Sequence, residues 1–304
     1  MKILRIVLVA ASLAALASTA SLAGKDTFQT WAEGDKAYKK VWFGPAPSQM
    51  KKLATIGYPK RIGLLSYYLF DTGTHKFNAM AATYGGTYFK SMGLNERGAN
   101  KFSSQFAKMG VPVLKERFSE YGMELLTPVE FLETEAQLSA YLDFELPQSG
   151  WNKFAKSVRA WLDNNPHASG AADGFEMIPT HLWMDPGILR ALDELRVSRG
   201  LDGLAVVSNL TSSNPKNVIF SGATLDIFGP NPEPKPDNKM AAKYWTPSLL
   251  YVRGTFGKGF KGVEFAYWKK ETIDRVEYQG YDGIIDALAR RTLEELKKMH
   301  DKGK

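Results

Sequence analysis

The chain has 304 residues, of which 44% are hydrophobic and 12% aromatic, so it is long enough for one large core or two smaller ones. It contains no cysteine, which excludes disulfide bonds, thiol catalysis, zinc–thiolate sites and the lipidated cysteine of a bacterial lipoprotein. The formal net charge of +7 is spread among carboxylates along the chain, so we expect a solvated surface rather than a nucleic-acid-binding site.

The N-terminal segment has the pattern of a bacterial export signal. A basic start precedes an apolar run over residues 6–17, and Ser21 and Ala23 place small residues where a signal peptidase cuts, before Gly24. The run is too short to span a bilayer comfortably, and no later stretch approaches the required length. The sequence therefore predicts a signal peptide over residues 1–23 and a mature protein that is periplasmic or secreted and not integral to a membrane.

A lead-in segment over residues 24–60 is followed by a predicted single α/β domain over residues 61–304. Residues 61–70 are almost continuously apolar, which is typical of a strand that is covered on both faces. Apolar residues recur at spacings of three and four over residues 99–121 and predict a helix that Pro112 kinks or divides.

The middle of the chain alternates between short extended and helical patterns. A strand is predicted over residues 123–127, and a Thr-Pro-Val-Glu capping box then starts a helix that runs to about Phe144. A further helical stripe covers residues 151–162. Another helix starts at Pro186 and ends at Gly200.

The second half of the chain contains two predicted hairpins and a closing helix. Residues 204–210 and 218–228 are apolar runs around a turn-rich loop, the signature of a long hairpin. Residues 248–256 and 262–268 predict a second hairpin across a glycine-rich turn, and residues 282–300 predict an amphipathic helix. The predicted fold class is α/β (α+β): a mixed sheet of about five to six strands with helices packed on it.

The segment Asp71-Thr72-Gly73-Thr74 follows two apolar residues, as in the active-site motif of aspartic proteases. That chemistry needs two carboxylates that share one proton, and the sequence has a single such motif. The alternative interpretation is a turn in which Asp71 and Thr72 cap backbone amides and Gly73 adopts a positive φ. The same residues, with His75, follow the first strand of the domain, where open α/β sheets bind small ligands.

Tyr244 and Trp245 lie in a proline-rich stretch over residues 229–247. Together with Trp42 they are candidates for an exposed aromatic surface that binds a partner. The alternative is that these rings pin long loops to the core. The four histidines form no metal-binding pattern, and no serine lies in a nucleophile elbow, so we predict no catalytic residue, no metal and no cofactor.

The segments ALDELRVSRGLDGLAVVSNL and NVIFSGATLDIFG, with the following hairpin and closing helix, resemble the periplasmic α/β domains of curli-export lipoproteins and of Tol-propeller N-terminal domains. The resemblance covers about residues 61–300 and includes a Gly200-Leu201-Asp202 step from helix into strand. The chain departs from this pattern in lacking the lipidation cysteine and in its long segments over residues 166–183 and 229–247. The resemblance implies a non-catalytic envelope protein that binds partners or helps to assemble them.

Three functions are therefore carried forward. The first is an exported, non-catalytic protein that binds a protein partner or envelope component, or assists envelope or secretion assembly. The second is an acid protease that uses Asp71. The third is a small-ligand carrier with a pocket at the carboxyl end of the first strand of the domain.

Overall fold

The computed structural model describes eleven parts of the chain, and every structural statement below concerns these residues alone. They are residues 27–44, 58–71, 94, 96–142, 169–178, 186–213, 217–230, 249–257, 260, 262–267 and 278–301. The predicted signal peptide, the predicted helix over residues 151–162 and most of the proline-rich stretch lie outside them.

The middle layer of the fold is a mixed sheet of eight strands in the order β1-β7-β6-β5-β2-β3. Strand β4 also pairs with β2, and strand β8 also pairs with β6. The strands are β1 (Val41–Phe43), β2 (Arg61–Asp71), β3 (Glu124–Leu126), β4 (Ser169–Ala171), β5 (Gly203–Ser213), β6 (Asn217–Pro230), β7 (Leu249–Phe256) and β8 (Val263–Tyr267).

Seven helices in the described residues cover this sheet, and the long C-terminal helix closes the fold. They are α1 (Phe28–Ala32), α2 (Lys36–Lys39), α3 (Glu96–Glu120), α4 (Pro128–Phe131), α5 (Glu135–Leu142), α6 (Pro186–Ser198) and α7 (Tyr281–Asp301). Within the described ranges, no helix is both long and apolar enough to cross a bilayer.

The predicted α/β class is confirmed, and the sheet is larger than predicted. The six predicted strands are β2, β3, β5, β6, β7 and β8, and the two additional ones are β1 and β4. Each additional strand has three residues. Three residues are too few to show the alternating pattern from which a strand is recognised, so these two become strands only through their neighbours.

The predicted second hairpin is wrong. Strands β7 and β8 both pair with β6, antiparallel, at residues 223–230 and residues 217–220. Gly257 and Gly262, with φ of 135° and 96°, turn the chain between them. The glycines were correctly expected in a turn, but this turn returns the chain to the same long strand rather than folding β8 back onto β7.

Two predicted helices also differ in detail. Helix α3 is continuous over 25 residues with Pro112 inside it, because Phe106 and Leu114 are buried on either side of the proline. The helix expected after the capping box instead divides into α4 and α5. The box itself forms, since the Glu130 carboxylate accepts a hydrogen bond from the Thr127 amide at 2.7 Å.

The two faces of the sheet carry different cores because side chains alternate along each strand. Tyr67 and Leu69 of β2 belong to one core, and Tyr68 belongs to the other. A bulge at Leu65 shifts this alternation by one residue, since Leu64 pairs with Ala205 and Ser66 with the next residue of β5. Strand β2 is therefore buried on both faces, as its continuous apolar pattern predicts.

The face covered by α1, α2, α3 and α7 is here called the aromatic face. Its core contains buried rings that meet mostly edge to face, as between Phe28 and Phe220 at 5.2 Å and Phe102 and Phe265 at 5.2 Å. The other side, the opposite face, is covered by α4, α5 and α6 through Phe131, Tyr141 and Leu192. The sheet is thus the central layer of three.

Candidate functional site

Of the seven residues predicted with the protease-like motif and the proline-rich stretch, the structure describes Asp71; it also describes Trp42, the third candidate for an exposed aromatic surface. The other six, Thr72, Gly73, Thr74, His75, Tyr244 and Trp245, lie outside the described residues. Asp71 is the last residue of β2 and only 2% exposed. The geometry around this carboxylate is therefore the part of the predicted site that can be built from the structure.

The Asp71 carboxylate joins three parts of the chain. Its Oδ1 accepts a hydrogen bond from the Thr211 hydroxyl of β5 at 3.2 Å, and its Oδ2 accepts one from the Leu94 amide at 3.3 Å. Asp71 and Thr211 are also direct partners in the parallel pairing of β2 and β5. Burying a carboxylate is costly unless donors surround it, so these bonds fix the end of β2 against β5 and the chain that leads into α3.

Asp71 does not form an acidic pair with Asp226, the other aspartate that is buried in the described residues. Asp226 pairs with Val206 of β5, whereas Asp71 pairs with Thr211, five residues further along. At about 3.3 Å a residue, the two carboxylates lie about 17 Å apart along the strands. They also lie on different faces of the sheet, because residues 225 and 227 contribute to the aromatic face. A shared proton requires carboxylates in hydrogen-bonding contact.

Metal binding was not predicted from the sequence. No group of three or more histidine and acidic side chains is arranged to hold a metal in the described ranges. The histidine that the structure describes, His300, is 6% exposed and meets the ring of Tyr58 edge to face at 5.2 Å. It lies in the last turn of α7, where a basic side chain suits the carbonyl end of the helix.

A groove of about 530 Å³ lies at the other end of β2, about 30 Å from Asp71 by strand length. Its walls include Arg61, Lys115, Glu124 and Glu130. The Lys115 ammonium lies 2.5 Å from the Glu130 carboxylate, and the Arg61 guanidinium lies 3.9 Å from that of Glu124. Because these four charges pair within the wall, they offer little concentrated charge to an ionic ligand.

The Gly200-Leu201-Asp202 step has a structural role beside this groove. Gly200, with a φ of 59°, ends α6 in the left-handed conformation. The Asp202 carboxylate then accepts hydrogen bonds from the amides of Lys60 at 2.8 Å and Arg61 at 2.9 Å. The step that carries the family resemblance thus aligns the start of β2 with β5, and its chemistry is that of a backbone cap.

A polar group on the opposite face was missed by the sequence analysis. The hydroxyls of Ser208 and Thr224 lie 2.6 Å apart, and the Asp226 carboxylate accepts two hydrogen bonds from Arg253, at 2.5 and 2.9 Å. Asp226 is fully buried, whereas the Arg253 side chain is 26% exposed. The signal was present, because polar residues at positions 224 and 226 interrupt an apolar strand with a period of two.

Trp42 lies at the end of this row of cross-strand neighbours. Its partner in β7 is Thr255, which pairs with Thr224 of β6, which in turn pairs with Ser208 of β5. Trp42 is 52% exposed. A Cβ atom on Gly44 would lie 1.9 Å from the indole Cη2 atom, so the glycine leaves the space in which the ring lies. The prediction that Trp42 is an exposed aromatic residue is confirmed.

A second buried polar chain crosses the centre of the aromatic face. The hydroxyls of Tyr67 and Tyr281 lie 2.5 Å apart, and the Tyr281 hydroxyl donates to Asn209 Oδ1 at 2.7 Å. Burial raises the pKa of both tyrosines well above the usual value, so both remain neutral hydrogen-bonding groups. This chain links β2, β5 and α7 and has no solvent-exposed member.

Comparison with known proteins found no relative in which these residues have a known role. No protein-family model matches the chain, and neither a curated protein nor a solved structure matches it. The resemblance to curli-export and Tol-propeller domains therefore stays a prediction, and the functional argument depends on the residues described above.

Proposed function

We propose that this protein is an exported, non-catalytic component of the bacterial cell envelope that binds a partner protein, and that Trp42 lies in the contact surface. The exposed indole of Trp42 is the observation that carries the proposal. Tryptophan is the side chain most enriched among residues that dominate binding energy, because it offers a large, rigid and amphipathic contact. The export pattern of residues 1–23 supports the location.

Two features restrict the position of the Trp42 side chain. Trp42 belongs to β1, which pairs with β7 through three residues, so its backbone is hydrogen-bonded to the edge of the sheet. Its ring also lies over Gly44. A ring that is held in place loses little conformational freedom on binding, which favours affinity.

Affinity capture from envelope extracts tests the proposal. Wild-type protein and the Trp42→Ala and Val197→Ala variants are immobilised, and retained proteins are identified and then purified for direct binding measurements. Val197 is a matched control because it is 62% exposed and lies on α6. We expect Trp42→Ala to weaken binding of the identified partner at least tenfold and Val197→Ala to leave it unchanged. Equal binding by all three proteins would contradict the assignment of Trp42.

The location has its own test. We expect N-terminal sequencing of the protein from a periplasmic fraction to begin at Gly24, because Ser21 and Ala23 mark the predicted cleavage site. Recovery from the cytoplasm with residues 1–23 attached would contradict export, while leaving the binding role of Trp42 open to the capture experiment.

The acid-protease alternative is not favoured, because Asp71 is buried beneath two hydrogen-bond donors. We expect no pepstatin-sensitive proteolysis at low pH from the wild-type protein. Such activity, lost in Asp71→Asn, would restore that alternative. The small-ligand carrier remains an alternative, because residues 72–75 of its predicted pocket lie outside the described residues. The groove that the structure describes lies at the opposite end of β2 from Asp71 and does not support it.

A further inference from the structure

The segment from residue 27 to residue 44, here called the N-terminal arm, packs into the aromatic core mainly through Phe28. Phe28 is 1% exposed, and its ring lies 5.2 Å from that of Phe220, 5.7 Å from that of Tyr281 and 6.1 Å from that of Phe106. The first helix of the arm therefore fills a position at the centre of the aromatic face.

The start of α7 is shaped to receive this helix. A Cβ atom on Gly280 would lie 2.4 Å from the backbone of Gln29, and one on Gly283 would lie 2.5 Å from the Cβ atom of Ala32. Any larger side chain at either position would push the arm away. These glycines and the rings beneath Phe28 form an acceptor groove for the arm.

The rest of the arm is held at the surface of the fold. Strand β1 extends the sheet by antiparallel pairing with β7 at three positions. The Arg290 guanidinium lies 4.5 Å from the centre of the Tyr38 ring, Arg291 donates to the Tyr38 hydroxyl at 3.0 Å, and that hydroxyl donates to Glu294. Each of these contacts joins the arm to α7 or to β7.

The order of the arm depends on the acceptor groove. Its helices have five and four residues and its strand has three, all too short to be stable alone. The groove in turn depends on the arm, because removing Phe28 would uncover the rings of Phe106, Phe220 and Tyr281. An empty groove is therefore unfavourable, whichever chain supplies its occupant.

We propose that the arm is exchangeable, and that the acceptor groove of one copy of this chain binds the arm of a second copy to form a reciprocal dimer. The arm is a single continuous segment, and the thirteen residues 45–57 join it to the next described residue. A linker of that length spans at most about 45 Å, enough to reach a neighbouring molecule. The exchanged dimer repeats every arm contact of the monomer, so no new surface is required.

Protein concentration decides between the two forms. A linker as short as thirteen residues gives the chain's own arm an effective concentration of about 1 mM, so the monomer dominates in dilute solution. Exchange becomes visible when docking of the chain's own arm is weakened, or when the protein is concentrated. The inference follows from the arm and its groove and does not depend on export or on Trp42.

Two complementary variants test it. Ala32→Leu enlarges the arm so that it no longer fits beside Gly283, and Gly283→Leu fills the groove so that it no longer accepts an arm. Leucine is a better helix former than glycine, so Gly283→Leu preserves α7. Each variant alone carries a mismatched arm, whereas in a mixture the intact arm of Gly283→Leu fits the intact groove of Ala32→Leu.

The two variants are studied alone and mixed at about 0.5 mM, close to the effective concentration of the arm. We expect each alone to be monomeric, with arm amides exchanging at least tenfold faster than in the wild type while β5 and β6 stay protected. We expect the equimolar mixture to form a heterodimer in sedimentation velocity and to regain protection of one arm.

The matched control is a mixture of Lys39→Leu and Lys297→Leu, which change one exposed residue of the arm, in α2, and one exposed residue of α7. This mixture should remain monomeric with both arms protected. A mixture of Ala32→Leu and Gly283→Leu that stays monomeric with unprotected arms would overturn the proposal. So would full arm protection in either variant alone, because the groove would then not select its occupant.

Discussion

The two faces of the sheet are built from alternate residues of the same strands, yet they differ in chemistry. The aromatic face is closed by the long helices α3 and α7 and by the N-terminal arm, and its buried rings contact one another in a continuous cluster. The opposite face has shorter helices and a smaller core, and it holds the Ser208–Thr224 and Asp226–Arg253 pairs. The aromatic face thus supplies most of the apolar burial and contains the Tyr67–Tyr281–Asn209 hydrogen bonds, whereas the opposite face carries the buried ion pair and the polar row that ends at Trp42.

The difference predicts that the two faces contribute unequally to stability. Buried apolar area is the main favourable contribution to folding, so changes on the aromatic face should lower the free energy of unfolding most. Polar pairs contribute less net stability and more specificity of arrangement. Substitutions on the two faces can therefore be compared directly by chemical denaturation.

The largest effect is expected from Phe28→Ala. Removing a fully buried ring should lower the free energy of unfolding by about 3–5 kcal/mol, because a cavity remains among its neighbours. Urea denaturation measures this, with Val129→Ala as the control, since Val129 is 65% exposed. The control should change stability by no more than about 0.5 kcal/mol. Equal losses of stability in Phe28→Ala and Val129→Ala would contradict the packing of Phe28 in the core.

On the opposite face, Arg253→Met should cost about 3 kcal/mol, because the buried Asp226 carboxylate loses its charged partner. The double variant Asp226→Leu/Arg253→Met should recover most of that loss, since no buried charge is then left. Denaturation of both proteins checks the difference. A double variant that is no more stable than Arg253→Met would show that the pair is not the source of the cost.

Within the aromatic face, the hydrogen-bonded residues Tyr67, Tyr281 and Asn209 allow two smaller losses of stability to be compared. Tyr281→Phe should cost about 2 kcal/mol, because it leaves Asn209 Oδ1 and the Tyr67 hydroxyl without their partner. Tyr67→Phe should cost about 1 kcal/mol, because the bond from Tyr281 to Asn209 survives. Thermal denaturation ranks the two, and the reverse order would contradict the direction of donation.

The smallest loss of stability per residue is expected when alkaline pH acts on the buried tyrosines. Burial raises the pKa of Tyr67 and Tyr281 in the folded protein, so each is protonated there at a pH where the unfolded chain has lost the proton. The contribution of these two tyrosines to stability should be constant below pH 10, the ordinary tyrosine value, and should fall above it, by about 1 kcal/mol for each tyrosine at pH 11. Denaturation midpoints at pH 8 and pH 11 measure this, and a smaller drop is expected in Tyr67→Phe. An unchanged midpoint would argue against full burial of these hydroxyls.

Local patterns in the sequence predicted much of the fold. The strands β2, β5 and β6 are long apolar runs, and α7 shows a clear amphipathic pattern, so each is visible from its own residues. The capping box at Thr127 and the end of α6 at Gly200 are also local, since each depends on residues a few positions apart. The sequence also predicted that β7 and β8 are separate strands, but it did not predict that both pair with β6.

The candidate site was less accessible from the sequence. Asp71 stood out because its neighbours resemble a protease motif, yet its hydrogen-bond partners Leu94 and Thr211 are 23 and 140 positions away. The Asp226–Arg253 pair was overlooked because each residue is unremarkable until β6 and β7 are aligned. Register between strands depends on packing of the whole sheet, which no short window of sequence contains.

By itself the sequence determined the fold class and the main helices and strands, because these depend on periodicity and on residues with special backbone preferences. Only the tertiary structure decided that β1 completes the sheet beside β7, that Phe28 fills the aromatic core and that Asp202 caps the start of β2. These contacts join residues more than a hundred positions apart. Their formation depends on burial and hydrogen bonding in the assembled molecule rather than on local preference.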